Sequence, residues 1–334
     1  MKLLVTGGAG FIGSNFIRLI LRKYPSYKVI NLDKLNYSGN PENLKDFSGN
    51  RNYRLVSGDI CDPKITAKLM RDVDAVVNFA AETHVDRSIL DPDAFIRTNV
   101  FGVYNLLETA KKCGVPRFVH ISTDEVYGSI SKGSFTERSP LMPNSPYSAS
   151  KAAGDLLARS YYVTYKLPVI ITRSSNNFGP YQFPEKVIPL FITNAIEGKQ
   201  LPLYGKGNNV RDWLYVEDNC LAIDRILHNG KIGEVYNIGG DQELANIELT
   251  RSILRYMSLP PTFIKNVPDR LGHDLRYSLD SSKIRKQLGW KPKLDFKHAI
   301  LDTIDWYKEN TSWWKNIKNK TYMKYYKKQY KSLA

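Results

Sequence analysis

The sequence has few cysteines and no long apolar run, and each absence narrows the class of protein. Its three cysteines, Cys61, Cys113 and Cys220, are far apart and match neither a disulfide framework nor a CxxC metal site. We therefore expect reduced cysteines and no metal. No apolar run approaches the roughly 20 residues of a membrane helix, and the start MKLLVTGGAG lacks the order of a signal peptide. These features predict a soluble protein of the cytoplasm.

Acidic residues are missing from positions 311–334, where the sequence TSWWKNIKNKTYMKYYKKQYKSLA contains seven lysines. This segment, the basic tail, holds seven of the fifteen net positive charges. Aromatic residues among lysines can bind single-stranded nucleic acid, but no recognisable nucleic-acid motif is present. We favour a solvated, partly helical end whose Trp313, Trp314 and tyrosines pack on the body, and we expect no nucleic-acid partner. A basic surface also attracts phosphate-bearing small molecules.

Short β-branched runs alternate with longer helical patterns in the first half of the chain. We predict strands at KLLVT, KVINLD, YRLVS, DAVVNFA, RFVHIS and PVIITR, with helices that include 93–113 and 147–166. This alternation predicts an α/β fold, a Rossmann-type doubly wound parallel sheet, over residues 1–174, with a later strand near 233–239. Over residues 175–310 the pattern loosens into proline-containing segments mixed with shorter helices, and these residues are predicted to form a smaller mixed α/β lobe that is interleaved with the first.

Three glycines of TGGAGFIG, Gly7, Gly10 and Gly13, lie between the first predicted strand and the first helix. Without a Cβ the backbone can turn tightly there and approach a pyrophosphate, whose charge the helix N-terminus favours. Asp33 ends the second strand 20 residues later, where a carboxylate accepts the ribose hydroxyls and repels a 2′-phosphate. The pattern therefore predicts NAD rather than NADP. Asp59, after the third strand, has two interpretations: a residue near the adenine, or a helix cap.

Two adjacent carboxylates, Asp124 and Glu125 in STDEVYG, follow the predicted strand RFVHIS. Ligands of open parallel sheets lie beyond the carboxyl ends of the strands, so we expect this pair at the ligand-binding edge. Tyr147 and Lys151 of YSASK are four residues apart on one helix face. An ammonium beside a phenol lowers the phenol pKa, so that tyrosine can take a proton from a hydroxyl while hydride leaves the same carbon. With the nucleotide pattern, this spacing predicts hydride transfer.

The motifs TGGAGFIG, NFAAETHVDRS, STDEVYG, YSASK and RSSNNFGP follow the order of the extended short-chain dehydrogenases/reductases, and the chain resembles that family. Within it, the sequence up to the basic tail is similar to the dTDP-glucose 4,6-dehydratases. UDP-sugar 4-epimerases lack the adjacent acid pair, and GDP-mannose dehydratases and UDP-glucuronate decarboxylases usually carry the Glu without the Asp. The resemblance implies bound NAD, dTDP-glucose as substrate, and conversion to dTDP-4-keto-6-deoxyglucose and water in deoxysugar synthesis.

The resemblance also implies catalytic roles for five residues. Oxidation at C4 of the hexose acidifies the C5 proton, and elimination then needs a base at C5 and an acid at C6. Glu125 is implied as the base and Asp124 as the acid, with a pKa that must be raised, for which the charge of Glu125 is one cause. Tyr147 takes the C4 hydroxyl proton, Lys151 tunes Tyr147 and holds the nicotinamide ribose, and Thr123 hydrogen-bonds the C4 oxygen.

The same resemblance assigns further residues to the two binding sites. Cofactor-binding positions are Gly7, Gly10, Phe11, Ile12, Gly13, Asp33, Lys34, Asn36, Tyr37, Asp59, Ile60, Ala80, Ala81, Asn99, Ser122, Tyr147, Lys151 and Asn177. Substrate-binding positions are His84, Asp86, Thr123, Asp124, Glu125, Asn176, Lys186, Arg211, Asn246, Arg270, His273 and Tyr277. A structural role explains His84 equally well. The basic tail departs from the family pattern, so no substrate contact is assigned beyond Tyr277.

Helices predicted near 99–113 and 147–166 resemble those of a four-helix dimer interface in this family, so we expect a homodimer. Two other functions stay open on the sequence. One is a different sugar-nucleotide dehydratase or a 4-epimerase of the same fold. The other is a non-catalytic nucleotide-sensing or nucleic-acid-binding protein. The choice of thymine as the base rests on the resemblance, because motif spacing does not define it.

Overall fold

A seven-stranded parallel sheet forms the larger lobe in a computed structural model, which describes residues 1–318 and 320–330. The strands of this sheet are β1 (Lys2–Thr6), β2 (Lys28–Asp33), β3 (Tyr53–Ser57), β4 (Ala75–Asn78), β5 (Phe118–Thr123), β6 (Val169–Ser174) and β10 (Val235–Ile238). Their spatial order is β10-β6-β5-β4-β1-β2-β3. The chain therefore reverses direction across the sheet at β1 and β4, which is where ligands bind in such folds.

Helices cover both faces of this sheet. Those within or beside the larger lobe are α1 (Phe11–Lys23), α2 (Pro63–Met70), α3 (Val85–Leu90), α4 (Asp93–Ile96), α5 (Val103–Cys113), α6 (Pro146–Tyr165), α8 (Val216–Asn229) and α10 (Ser282–Leu288). Neighbouring residues of β1 face opposite layers, since Leu3 packs with α1 and α8 residues and Leu4 packs with α5 residues. Buried strands in a two-sided parallel sheet read as continuous apolar runs for this reason. The predicted doubly wound fold is confirmed.

The smaller lobe combines two short sheets with helices. Its strands are β7 (Asn176–Phe178), β8 (Leu201–Tyr204), β9 (Val210–Tyr215), β11 (Glu243–Ala245) and β12 (Ile264–Val267). β9 lies between β7 and β11, and β8 pairs with β12. Its helices are α7 (Val187–Ile196), α9 (Asn246–Tyr256) and α11 (Phe296–Glu309). Along the chain, β10 lies between β9 and β11 of the smaller lobe, but it pairs with β6 in the large sheet. The two lobes are therefore interleaved in sequence.

The predicted helix over residues 93–113 is divided. α4 passes through a π-helical turn at Arg97–Gly102 into α5. The side chain of Asn99 within this turn accepts a hydrogen bond from the backbone N–H of Glu82 at 2.9 Å. A π turn places one extra residue in the helix and often marks a functional site. Here it directs an amide side chain toward the loop that follows β4.

The described part of the basic tail packs on the smaller lobe as α12 (Thr311–Ile317) and α13 (Lys320–Gln329). Trp314 is fully buried, and Tyr330 belongs to the same apolar core as α7 and α11. Trp313 donates from Nε1 to Oδ1 of Asn43 at 2.9 Å. These aromatic side chains of the tail therefore pack against the body of the protein. Across the described residues, no helix has the length and apolarity to cross a bilayer.

Candidate active site

The acid pair lies on a 3₁₀ turn, Asp124–Tyr127, at the end of β5. Thr123 closes the turn: its hydroxyl accepts from the Glu125 N–H at 3.3 Å and donates to Oδ1 of Asp124 at 3.2 Å. Asp124 is 2% exposed, and its Oδ2 has no hydrogen-bond partner among the described residues. Burial, followed by the charges of Glu125 and Asp212, raises the pKa of the Asp124 carboxyl well above its usual value. The site therefore favours a protonated Asp124.

The start of α6 holds Tyr147 and Lys151 at the same pocket. Ser145 Oγ accepts from the Ser148 N–H at 3.1 Å, while Ser148 Oγ accepts from the Ser145 N–H at 3.0 Å. Pro146 occupies the first helical position, where its missing N–H costs nothing. This reciprocal cap fixes the first turn of the helix. Tyr147 and Lys151, one turn apart, both line the pocket as a result.

The electrostatics of Tyr147 and Lys151 differ from the prediction. Burial, followed by the charge of Glu125, raises the pKa of the Tyr147 phenol, against a hydrogen bond from Thr123 that lowers it. Burial lowers the pKa of Lys151 to about 8, and its Nζ donates to the carbonyl oxygen of Ile121 at 2.7 Å. The phenol pKa is therefore raised where the spacing from Lys151 predicted a lowered one, because desolvation and the charge of Glu125 dominate it.

The turn between β1 and α1 requires glycine at two positions. Gly7 has a φ of +70°, and a Cβ there would lie 2.5 Å from the backbone nitrogen of Ala80. A Cβ on Gly13 would lie 2.4 Å from the carbonyl oxygen of Gly7. The backbone of this turn therefore reaches the pocket without side chains in the way, and the first N–H groups of α1 have no partner within the helix. These residues fit the pyrophosphate of a dinucleotide.

Asp33 is fixed at the end of β2. Its Oδ2 accepts from the Ala9 N–H at 2.9 Å and its Oδ1 from the Leu35 N–H at 2.8 Å. The carboxylate lines the pocket beside the glycine turn. This placement suits the hydroxyls of a ribose.

Asp59 pairs with Lys34 rather than capping a helix. The Lys34 Nζ lies 2.8 Å from Oδ2 of Asp59. The cap of α2 is Asp62, whose Oδ1 accepts from the Lys64 N–H at 2.8 Å. The helix-cap interpretation of Asp59 is therefore wrong. Asp59 instead faces the pocket with Ile60.

A large pocket runs along the carboxyl edge of the sheet and between the lobes, and it gathers most of the predicted residues. Those that line it are Gly7, Gly10, Phe11, Ile12, Gly13, Asp33, Lys34, Asn36, Asp59, Ile60, Ala80, Ala81, Ser122, Thr123, Asp124, Glu125, Tyr147, Lys151, Asn176, Asn177 and Lys186. The amide oxygens of Asn176 and Asn177 are buried without a hydrogen-bond partner in the described chain. They are therefore available to a ligand.

Two predicted cofactor residues shape the pocket without lining it. Asn99 donates from Nδ2 to the carbonyl oxygen of Glu82 at 3.0 Å and to Oγ of Ser150 at 2.9 Å. It thereby ties the loop after β4 to α6. The ring of Tyr37 packs on the guanidinium of Arg87 at 4.0 Å, whereas its neighbour Asn36 lines the pocket. Asn99 and Tyr37 therefore support residues beside the pocket without lining it themselves.

His84 and Asp86 lie at the start of α3, facing the smaller lobe. Burial lowers the pKa of His84 well below its usual value, so its ring is neutral. Nδ1 of His84 has no hydrogen-bond partner within the described residues. Asp86 accepts from the Tyr204 hydroxyl at 2.9 Å and lies 3.7 Å from Nη1 of Arg270. Asp86 therefore joins the two lobes.

Three cations interact electrostatically with Glu125: Arg211, which is buried, and Lys186 and Arg270, which are partly buried. Burial lowers the pKa values of Lys186 and Arg211, and the charge of Glu125 opposes this for both. The same charge, with that of Asp86, outweighs burial at Arg270 and raises its pKa. A cluster of cations next to an exposed pocket is suited to an anionic ligand such as a diphosphate.

The remaining predicted substrate residues lie around Arg211. The ring of Tyr277 packs on its guanidinium at 4.2 Å. Asn246 follows β11, which pairs with β9 so that Leu244 is opposite Arg211. His273 lies 2.6 Å from Asp269, and burial together with Arg270 lowers its pKa to about 4. These residues form the far side of the cation cluster.

Sequence reasoning missed several residues that the structure places here. Arg87 and Glu185 pair at 2.8 Å, and both are adjacent in sequence to residues that were predicted. Tyr204 contacts Asp86, and Tyr325 of α13 packs on Arg87 at 4.1 Å. No sequence motif around Tyr325 predicted its place in the site, because its contact with Arg87 depends on how the tail packs on the rest of the protein.

A dinucleotide fold with Tyr147 and Lys151 beside its pocket defines a short-chain dehydrogenase/reductase of the extended type. The chain belongs to the family described as GDP-mannose 4,6 dehydratase, whose model matches residues 4–303. It is 52% identical over 323 residues to the dTDP-glucose 4,6-dehydratase of Streptomyces niveus, with 96% of each chain covered. It is 46% identical over 358 aligned positions to that of Salmonella typhimurium, with 99% of each covered.

Solved structures of related enzymes share this fold. The dTDP-glucose 4,6-dehydratase of Streptomyces venezuelae, crystallised with NAD and dTDP, superposes with a TM-score of 0.94 at 53% identity, covering 95% of this chain and 100% of that one. The UDP-glucose 4-epimerase of Thermotoga maritima superposes with a TM-score of 0.87 at 29% identity, covering 93% and 100%. The fold is therefore shared with epimerases, while the higher identity is to dehydratases.

Proposed function

We propose that the protein converts dTDP-glucose to dTDP-4-keto-6-deoxyglucose and water with bound NAD, in deoxysugar synthesis. The observation that carries this proposal is the buried Asp124 beside Glu125 at the pocket that also holds Tyr147. Hydride transfer at C4 needs only Tyr147 and Lys151. Loss of water across C5 and C6 needs a further base and a further acid, and the acid pair supplies both.

At C4, the reacting hydroxyl gives its proton to Tyr147. Bound NAD would supply the hydride acceptor for oxidation at C4 and the hydride donor for reduction at C6, and its positive ring charge would favour the Tyr147 phenolate. The Thr123 hydroxyl, whose single hydrogen is directed at Oδ1 of Asp124 in this structure, redirects it to the C4 oxygen as that oxygen becomes a carbonyl. Lys151 is fixed by Ile121, and its ammonium supports the phenolate and the nicotinamide ribose. Gly7, Asp33 and the other pocket residues named above hold the rest of the cofactor.

Elimination uses the acid pair. Glu125 takes the C5 proton, while Asp124 gives its proton to the C6 hydroxyl, which leaves as water; Glu125 returns its proton to C5 when hydride is added at C6. The C4 carbonyl acidifies the C5 proton and makes this step feasible. Asp124 can act as an acid because burial raises its pKa, and its unpartnered Oδ2 can reach a substrate oxygen. Oxidation at C4 and reduction at C6 balance, so the reaction consumes no cofactor.

The three cations that interact with Glu125 hold the sugar nucleotide in this proposal. Lys186, Arg211 and Arg270 neutralise the diphosphate, and Asn176 presents its free amide oxygen to the sugar. His84, Asp86, Asn246, His273 and Tyr277 complete the wall of the substrate site. Arginine suits this task because its planar fork donates two parallel hydrogen bonds.

Product analysis across dTDP-, UDP-, CDP- and GDP-hexoses tests the proposal. We expect a 4-keto-6-deoxy product, detected by its absorbance in alkali, from dTDP-glucose in preference to the others. A 4-epimerised hexose without loss of water would favour the epimerase alternative. Faster turnover of a UDP-, CDP- or GDP-hexose would identify a different dehydratase. No turnover of any of them, with nucleotide still bound, would favour the non-catalytic alternative.

We also propose that the enzyme is a homodimer joined through α5 and α6. Apolar side chains that are 42–56% exposed lie on α5 and α6 and on α4 and the π turn that precede α5; we call this set the apolar stripe: Ile96, Phe101, Tyr104, Leu156 and Val163. An apolar stripe of this kind supports a contact between protein surfaces. Two helices from each protomer would form a four-helix interface there.

Two further expectations belong to this proposal. We place the enzyme in the cytoplasm, since Cys61, Cys113 and Cys220 are all unpaired, as is usual in a reducing compartment. We expect no nucleic-acid partner, because Trp313, Trp314 and Tyr330 pack inward and leave few aromatic faces for bases. Loss of nucleic-acid affinity on deletion of the tail, in a chain without turnover, would support the binding alternative instead.

A further inference from the structure

Arg87 of α3 lies at the centre of an aromatic clasp, by which we mean Arg87, Glu185 and the rings of Tyr37 and Tyr325. Its Nε and Nη2 donate to Oε2 of Glu185 at 3.0 and 2.8 Å. Its guanidinium lies 4.0 Å from the ring centre of Tyr37 and 4.1 Å from that of Tyr325. Only a flat cation can contact two rings while its edge bonds a carboxylate, so lysine would not replace it.

The clasp joins three parts of the chain that are distant in sequence. Tyr37 belongs to the loop after β2, and its neighbours Asn36 and Ser38 line the pocket. Glu185 immediately precedes Lys186, which also lines the pocket. Tyr325 lies on α13. The cofactor side, the substrate side and the C-terminal helix therefore meet at one guanidinium.

Each part is also held independently near the clasp. Tyr37 packs edge-on against Phe183 at 5.5 Å. Tyr322 of α13 donates to the carbonyl oxygen of Pro184 at 2.9 Å. Gln329 donates to the Tyr204 hydroxyl at 2.7 Å. The hydroxyl of Tyr325 has no hydrogen-bond partner among the described residues, so its ring is held by packing, on the Arg87 guanidinium at 4.1 Å and edge-on against His84 at 5.7 Å.

We propose that Arg87 is a positioning residue that closes the loop after β2 over the pocket, and that this closure keeps reduced cofactor bound between the two hydride transfers. The inference rests on the proposed function, in which the hydride taken from C4 returns to C6 of the same sugar. Release of the reduced cofactor between these steps would strand an oxidised intermediate. The loop cannot open while Tyr37 is stacked on a guanidinium that Glu185 and Tyr325 hold in place.

Cofactor retention in three single variants tests this role. Each protein is loaded with NADH, passed through gel filtration, and followed by nicotinamide fluorescence as the cofactor dissociates into buffer. We expect Arg87→Lys and Tyr325→Leu to lose NADH about tenfold faster than the wild type, since each removes a cation–ring contact. Steady-state kcat should fall unless NAD is added, while the KM for dTDP-glucose changes less than about twofold.

Tyr326→Leu is the matched control, because Tyr326 lies on the same helix, its hydroxyl accepts from Nδ2 of Asn194 at 3.1 Å, and its ring packs against Tyr322 and Tyr330. It should retain NADH as the wild type does. Wild-type dissociation rates in folded Arg87→Lys and Tyr325→Leu would overturn the inference, as would equally fast loss from Tyr326→Leu. Absence of a 4-keto-6-deoxy product from the wild type would instead count against the proposed function, because the dissociation rates are measured without substrate.

Discussion

The Thr123 hydroxyl donates to Oδ1 of Asp124 at 3.2 Å, and the other carboxyl oxygen of Asp124 is buried without a partner in the described chain. One oxygen is thus fixed while the other faces a ligand. The same hydroxyl accepts from the Glu125 N–H, so one side chain sets the positions of both acids. The Thr123 side chain therefore contacts the side chain of Asp124 and the backbone of Glu125.

Asp124→Asn should impair elimination more than C4 oxidation. Asparagine keeps the shape of the side chain but cannot give a proton to the departing C6 hydroxyl. We expect a fall in kcat of about 10²- to 10⁴-fold, with reduced cofactor accumulating in single-turnover absorbance measurements. Wild-type kcat, or a fall in turnover without accumulated reduced cofactor, would contradict the role of Asp124 as the C6 acid.

The same substitution should change the pH dependence of stability. Burial raises the pKa of the Asp124 carboxyl, whereas the same carboxyl has a pKa of about 4 in the unfolded chain. Below that pH the group is protonated in both states and has no effect; as pH rises, the unfolded state loses its proton first and the folded state loses stability. Asp124→Asn should therefore have a higher Tm than the wild type at neutral pH, with the gap closing toward pH 4. A gap independent of pH would show that Asp124 does not titrate abnormally.

Glu125→Gln should nearly abolish product formation and leave cofactor binding intact. Glutamine fills the same volume but cannot accept the C5 proton, so kcat should fall by about 10²-fold or more. Hydrogen–deuterium exchange at C5, followed by mass spectrometry, separates this role from that of Asp124, because exchange requires the base and not the acid. Asp124→Asn is therefore the matched control and should retain exchange. Full exchange in Glu125→Gln would assign the base elsewhere.

Local signals were sufficient to predict the sheet and to place the acid pair, Tyr147 and Lys151 at one pocket. Gly13 is required by its close approach to Gly7 within one short segment, and β5, the strand before Asp124, reads as an apolar run. Arg87, Glu185 and Tyr325 were not predictable in the same way, because their contact joins residues 238 positions apart. The many lysines of the basic tail made it look solvent-exposed in the sequence. Its aromatic residues Trp314 and Tyr330 become buried because the tail packs on the smaller lobe.

The pKa of Tyr147 shows a second limit of sequence reasoning. The spacing from Lys151 correctly placed both groups at one pocket, yet the sign of the shift depended on burial and on Glu125. Desolvation of a phenol disfavours its charged form whatever its neighbours along the helix. Spacing defines which groups meet, whereas the depth of the site defines which form each group takes.

Leu156→Glu should convert the proposed homodimer to monomers. Leu156 is 56% exposed on α6, in the apolar stripe with Phe101 and Val163. Two copies of a charge placed near the axis of a symmetric interface would be buried without partners, which costs several kcal/mol. Light scattering at micromolar concentration should give about twice the chain mass for the wild type and the chain mass for the variant. Met142→Glu, at a 66% exposed position away from this stripe, should remain dimeric. A monomeric wild type, or a dimeric Leu156→Glu, would rule out this interface.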